Sequence, residues 1–271
     1  MVNQIFDKSA FIDTNVLAHI VGESRKGHNI LTILRKSNFK IVTFRKCVYE
    51  LYSMVKGTTK EDISKKNHPL KKLLTKELND IGQKLFKKEP DIDAVGNSYY
   101  WYNLCEEWQG WNFFESNINN IDKYVIESRK TEALQYLEMQ KLFVEWKKGL
   151  KSIFCQINDL LKKNRVSICE YNHVFGSEWY LKKGFIYEQE FAKNSLLPNE
   201  DFELVIAALC MQARVFITED DKDLLWRGGL SLGLGTPGLS FCCPERIKEA
   251  IEDDFNSRFY RKSKPNTTNH G

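Results

Sequence analysis

The sequence lacks any apolar run near the roughly 18 residues that a bilayer-spanning helix requires, which excludes an α-helical membrane protein. It also lacks a CxxC pair. Its seven cysteines (47, 105, 155, 169, 210, 242 and 243) are odd in number and scattered, so neither a disulfide framework nor a cysteine-based zinc site is expected, and reduced thiols in a cytoplasm are the plain reading. Proline is scarce, six in 271 residues, which argues against a Pro-rich linker protein. No sign of charge dominates: 40 Lys+Arg stand against 36 Asp+Glu, a net +4, and so mild a balance says little about partners. The first 13 residues carry two acids and no apolar h-region, so no signal peptide is expected.

What is present belongs to an ordinary folded domain. Hydrophobic residues make up 42% and charged residues 28%, enough apolar area to offset chain ordering. The outer parts of the chain alternate strand-like and helix-like segments. Residues 10–18, AFIDTNVLA, read as a buried strand running into a helix. KIVTF (40–44) is a second β-branched run, followed by a helical segment over about 46–56. FELVIAALCMQA (202–213) reads as a buried helix with Asn199 suited to its N-cap. RVFIT (214–218) is a third strand. LSFCC (239–243) is a fourth, closed by Pro244 and the helical PERIKEAIEDDF. Such alternation predicts an α/β fold, a central parallel sheet flanked by helices.

The interior, residues 58–190, lacks this alternation and reads as a large, mainly helical insertion. Residues 60–89 hold nine lysines against five acids, and 99–114 is the aromatic run YYWYNLCEEWQGWNFF. The expected organisation is a discontinuous α/β domain over 1–57 and 191–257, the insertion at 58–190, and a basic, disordered tail at 258–271.

Chemistry concentrates at strand ends. Asp13-Thr14-Asn15 follows the first strand, and Asp220, Asp221 and Asp223 follow RVFIT. Glu50 lies in the helix after KIVTF, and Asp201 in the first turn of the buried helix. In an open parallel sheet, ligands bind beyond the carboxyl ends of the strands. Carboxylates converging there repel one another unless cations compensate. Hard oxygen donors favour Mg²⁺ or Mn²⁺, and paired metals promote in-line displacement at phosphorus. Singly, each acid is also explained as a helix cap or a solvated turn. The five histidines are dispersed, and His19 reads as structural. GLSLGLGTPG (229–238) reads as a turn and not as a dinucleotide fingerprint.

In this order the motifs resemble those of PIN-domain nucleases: FIDTNVL (11–17), CVYELYSMVKG (47–57), DFELVIAAL (201–209), FITEDDKDL (216–224) and GLSFCCPERIKEA (238–250). The resemblance covers roughly 9–57 and 196–255, about 110 of 271 residues. It implies a PIN-like fold and a Mg²⁺- or Mn²⁺-dependent endoribonuclease in which Asp13, Glu50, Asp201 and Asp220 organise the metals, with Asp223 as a further ligand. Asn15 would orient Asp13, and Thr218 would hydrogen-bond a carboxylate or a phosphate-bound water. Two choices stay open. Asp201 and Glu203 both match known spacings, yet two residues apart on a helix they cannot face one site; Asp201 is preferred. The fourth motif is one residue longer than usual, so Asp220 keeps the spacing from Thr218 while Asp221 keeps the spacing to Asp223; Asp220 is preferred.

The implied substrate is RNA, single-stranded or structured, with the lysines and aromatics of the insertion suited to phosphates and bases. No membrane partner is expected. A protein partner such as an antitoxin, and a homodimer, are left open, although the chain is about twice the usual toxin length. The competing readings are a non-catalytic RNA-binding scaffold and a structure-specific DNA nuclease. A haloacid-dehalogenase-type phosphatase, which also begins with an Asp after a strand, is disfavoured because Asn15 stands where that chemistry needs a second acid.

Overall fold

The computed structural model describes residues 8–55, 68–73, 75, 77–78, 80–81, 133–194, 199–220, 224–225, 238–257 and 259–261. Most of the lysine-rich stretch, the aromatic run at 99–114, the glycine turn, Asp221, Asp223 and the tail beyond Arg261 lie outside them. The described residues belong to two compact units. One draws on Met1–Ile20, Arg25–Arg45 and Arg165–Gly271, the other on Val21–Ser24 and Lys46–Asn164.

The first unit is built on a sheet of six parallel strands: β1 (Ser9–Ile12), β2 (Lys40–Phe44), β3 (Val166–Cys169), β4 (Val215–Ile217), β5 (Ser240–Cys242) and β6 (Phe259–Tyr260). Their spatial order is β3-β2-β1-β4-β5-β6. The chain therefore builds outward from β1 on one side, then crosses to β4 and builds outward on the other. The reversal lies between β1 and β4, the place where open α/β sheets leave a crevice beyond the strand ends. β1, β4 and β5 are buried at every position, as expected of central parallel strands covered on both faces.

Helices supply that cover. α1 (Thr14–Val21) buries Val16, Leu17, Ile20 and Val21. α2 (Arg25–Lys36) buries Gly27, Ile30, Leu31 and Leu34, the i, i+3, i+4, i+7 stripe of an amphipathic helix. Between β2 and β3 the sequence also holds α3 (Arg45–Met54) and the 31-residue α4 (Ala133–Lys163), which from Lys46 on fall in the second unit. After β3 come α5 (Tyr171–Phe175), a π-helical turn (Tyr180–Gly184) and α6 (Phe185–Asn194). α7 (Asn199–Cys210) buries Leu204 through Ala208 without a break, as its apolar sequence predicts. A 3-10 turn at Pro244–Arg246 leads into α8 (Ile247–Glu252). Among the described residues no helix is long and apolar enough to cross a membrane.

One row of rings ties the central strands together. Phe11, Phe216, Phe241 and Phe259 are successive partners in the β1-β4-β5-β6 register. Their centroids are 4.8, 5.3 and 5.9 Å apart in near-parallel stacks. Adjacent rings on one face of a sheet add to the stabilisation that burial already gives.

The second unit is described by itself. Its α4 stripe Ile153, Phe154, Ile157 and Leu161 is buried, and Tyr52 of α3 stacks on Phe154 at 4.1 Å while its hydroxyl donates to Asn158 Oδ1 at 2.8 Å.

The boundaries differ from the sequence expectation in three places. Residues 165–190, assigned there to the insertion, include β3 and its following helices, which belong to the sheet unit. Strand β3 is only VSIC, and it follows a long helix with no Gly or Pro to mark it. Residues 46–55 pass to the second unit, where Tyr52 of α3 has its stacking and hydrogen-bond partners. Phe259 and Tyr260, expected in a disordered tail, form edge strand β6, with Tyr260 2% exposed.

Phe216 sits in the middle of the ring row and is fully buried. Phe216→Ala is expected to cost about 3–5 kcal/mol through lost burial and a residual cavity. Urea unfolding should show a lower midpoint at unchanged slope; a loss under about 1 kcal/mol would mean that the row is not part of the core.

Candidate functional site

Asp13 follows the last residue of β1 and stands at the N-cap position of α1. Its backbone N–H donates to Ile217 O of β4 at 3.1 Å, and its carbonyl accepts the first helical bond from Leu17 N at 2.8 Å. Strand and helix thus fix its backbone from both sides, and the carboxylate is 4% exposed. Each oxygen has one donor: Thr14 N–H to Oδ1 at 2.6 Å and the Thr218 hydroxyl to Oδ2 at 2.7 Å. The capping role of an acid after a strand is therefore realised here, but Asp13 is also tied across the sheet to the end of β4.

Thr218 is fully buried and continues from β4, with its N–H donating to Cys242 O at 3.1 Å. Its hydroxyl donates to Asp13 and accepts from the Asp220 N–H at 3.0 Å. One side chain thus connects the two carboxylate-bearing strand ends on either side of the topological reversal. A second threonine, Thr43 of β2, donates to Ile12 O at 2.8 Å and satisfies the carbonyl that ends β1.

These contacts leave Asp13 electrostatically uncomfortable. Burial pushes its carboxyl up to about 6; the hydrogen bonds from Thr218 and Thr14 pull it down, and the charges of Asp220 and Glu219 push it up again. A carboxylate accepts up to about four hydrogen bonds, so after one donor per oxygen it retains lone pairs for a cation. The donor set is all hard oxygen, which suits Mg²⁺ or Mn²⁺. Asp13 and Asp220 are two described residues here whose oxygens are of the kind a divalent cation takes. Among the described residues, which omit Asp221 and Asp223, no group of three or more His, Cys, Asp or Glu side chains is arranged to hold a metal.

The other expected residues are placed as follows. Asp220 is half-buried and close enough for its charge to act on Asp13. Asp201 and Glu203 are both half-buried near the start of α7; the charge of Glu203 bears on the Tyr180 phenol, which bonds Glu188. Asn15 is exposed, and the orienting contact expected of it is made instead by Thr218. Glu50 is half-buried on α3 and belongs to the second unit. Cys242 and Cys243 are buried, and burial raises both thiols, which makes them packing groups.

Glu219 was not anticipated. It forms a close ion pair with Lys26, and His19 Nε2 stands 3.5 Å from its other oxygen. Burial pushes Glu219 up, yet the bonds from His19 and Lys26 outweigh it and hold the carboxyl down at about 2. Lys26 and Glu219 are 193 positions apart, and no local pattern could have linked them.

Asp13 makes stability depend on pH with a definite sign. Its carboxyl ionises at about 6 in the fold against 3.8 ordinarily, so the fold prefers the protonated form. That preference is fully present below about pH 4 and is lost as pH rises through about 6. Without divalent ions, Asp13→Asn should be as stable as wild type at pH 4 and more stable at pH 7, by up to about 3 kcal/mol. Urea unfolding of both proteins in chelator across this range measures the difference; a gap that shrinks with rising pH would contradict the burial argument.

Comparison of the chain with protein-family models, curated proteins and solved structures finds no match.

Proposed function

We propose that the sheet unit is a PIN-like domain and that the protein is a Mg²⁺- or Mn²⁺-dependent endoribonuclease acting at the C-terminal edge of the sheet. The observation that carries this reading is the buried carboxylate of Asp13, joined through Thr218 to the Asp220 turn at the strand-order reversal. A buried acid held by neutral donors beside a second acid has an unmet demand for positive charge, and a divalent ion held by Asp13 and Asp220 would meet that demand.

When bound, the ion supplies a water of lowered pKa and neutralises charge at the phosphate. The protein's part is positional. Asp13 offers one lone pair direction on each oxygen, fixed by Thr14 and Thr218. Asp220 is set by its N–H bond to the Thr218 hydroxyl. Asp201, in the first turn of α7, is the third acid in this proposal, preferred over Glu203 by the spacing of the motif. Asp223 is the further acid that the resemblance of the motifs implies. RNA is the proposed substrate through the resemblance of the motifs.

Asp13→Asn and Asp220→Asn should each lower Mn²⁺-dependent cleavage of labelled RNA by about a hundredfold or more, the scale of several kcal/mol of lost charge stabilisation. An exposed acid away from this edge, Asp254, which pairs with Arg214, serves as the control, and Asp254→Asn should cleave normally. Matched RNA and DNA substrates in the same assay separate a ribonuclease from a structure-specific DNA nuclease. RNA binding without metal-dependent cleavage would establish a non-catalytic scaffold instead.

A further inference from the structure

The turn that carries Thr218 and Asp220 is gripped from outside by an ion cluster to which the proposed reaction assigns no part. Lys26, in the first turn of α2, pairs closely with Glu219 and also stands 2.8 Å from Glu245 Oε1. His19 of α1 faces the other oxygen of Glu219 at 3.5 Å. Lys26 by itself joins three pieces of chain, the start of α2, the residue after Thr218, and the 3-10 turn that follows β5, and His19 adds α1. All three side chains are only 28–38% exposed, so their attraction is screened less than that of a surface pair.

The approach of Lys26 depends on the residue beside it. A Cβ at Gly27 would stand 2.2 Å from His19 O and 2.8 Å from Ile20 N, both backbone atoms. Only glycine lets α2 cross α1 this closely, and the crossing delivers the Lys26 ammonium to the ends of β4 and β5. The backbone of the turn has other ties: Thr218 N–H to Cys242 O, Asp220 N–H to the Thr218 hydroxyl, and Leu225 N–H to Asp220 O. The residue between Thr218 and Asp220 is held through its side chain, by Lys26 and His19.

We propose that Lys26 is a positioning residue for the acidic edge: by holding Glu219 and Glu245 together it fixes the turn 218–220, and it keeps Glu219 occupied so that a divalent cation is drawn to Asp13 and Asp220. The inference rests on the ribonuclease reading for its catalytic consequence, but not for its structural one. Lys26 does not act on substrate; it acts through the Thr218 hydroxyl and Asp220.

The test uses the full chain with Lys26→Met, Lys26→Arg and Glu245→Gln. In Lys26→Met, amide hydrogen exchange at Thr218 and Asp220 should quicken by about tenfold while the amides of β1 and β2 keep their protection, a local opening and not a global one. Under saturating Mn²⁺, kcat for RNA cleavage should fall by about tenfold to a hundredfold, with KM within about threefold, as expected when the reacting groups are misplaced and the substrate contacts are kept. Lys26→Arg should restore most of both, and Glu245→Gln, which leaves the Lys26–Glu219 pair in place, should fall between. Unchanged exchange at Thr218 and Asp220, or protection lost evenly over the sheet, would overturn the proposal. A loosened turn with kcat unchanged would overturn it as well. If the wild type cleaves no RNA, the ribonuclease reading fails on its own, and the exchange measurement alone decides whether Lys26 holds the turn.

Discussion

A carboxylate taken out of water at the head of a helix is the constraint from which the rest of this edge follows. Dehydrating Asp13 disfavours its charged form, and the fold answers with two short, neutral hydrogen bonds that lessen the cost without cancelling it. One of those donors, Thr218, comes from the other half of the chain, so holding Asp13 and ordering the end of β4 are the same event. Asp220 is placed by the same hydroxyl. The negative charge at this edge is then divided into two classes: Glu219, paired with Lys26 and His19, and Asp13, held by neutral groups. That division is what separates an acid with a structural partner from one with capacity left for a ligand.

The scaffold makes this arrangement rigid by ordinary means. Parallel strands put every carboxyl end on one side, and the reversal of strand order between β1 and β4 keeps that side open there. Below it, the stacked phenylalanines of β1, β4, β5 and β6 lock the register of the strands. A one-residue slip would turn every ring to the opposite face, and would carry Thr218 away from Asp13 with it. Precision at the edge is therefore set by packing in the middle of the sheet.

Much of this was legible in the sequence, for identifiable reasons. AFI, KIVTF, RVFIT and LSFCC are short, mostly apolar runs, the first three closed by polar residues and the last by Pro244, and each falls on an observed strand. Asp13 stood out because an acid directly after such a run has one predictable place in a parallel sheet, and Asp220 through its spacing from Thr218; the same rule would have pointed to Glu219, the acid directly after RVFIT. β3 and β6 were missed because four and two residues carry too little pattern, the first behind a 31-residue helix and the second among basic tail residues. The Thr218 hydroxyl was expected to bond either a carboxylate or a phosphate-bound water; in the structure it donates to Asp13, a partner the sequence did not single out. The Lys26–Glu219–Glu245 cluster was invisible, since it is made by tertiary approach through a glycine crossing. Asp201 and Glu203 differ by two residues on one helix, and spacing alone does not choose between them.

The bond between Thr218 and Asp13 spans 205 positions, and β4 fills the place beside β1 that no earlier strand takes. During synthesis β1 and β2 leave the ribosome long before β4 exists. Until then β1 offers a bare, apolar hydrogen-bonding edge, the kind of surface that recruits other chains. Closing so distant a pairing is slow, because the chain entropy is lost before the contacts form. The nascent protein therefore keeps β1 half-paired throughout the synthesis of everything that separates it from β4, and the acidic edge comes into being only when β4 arrives.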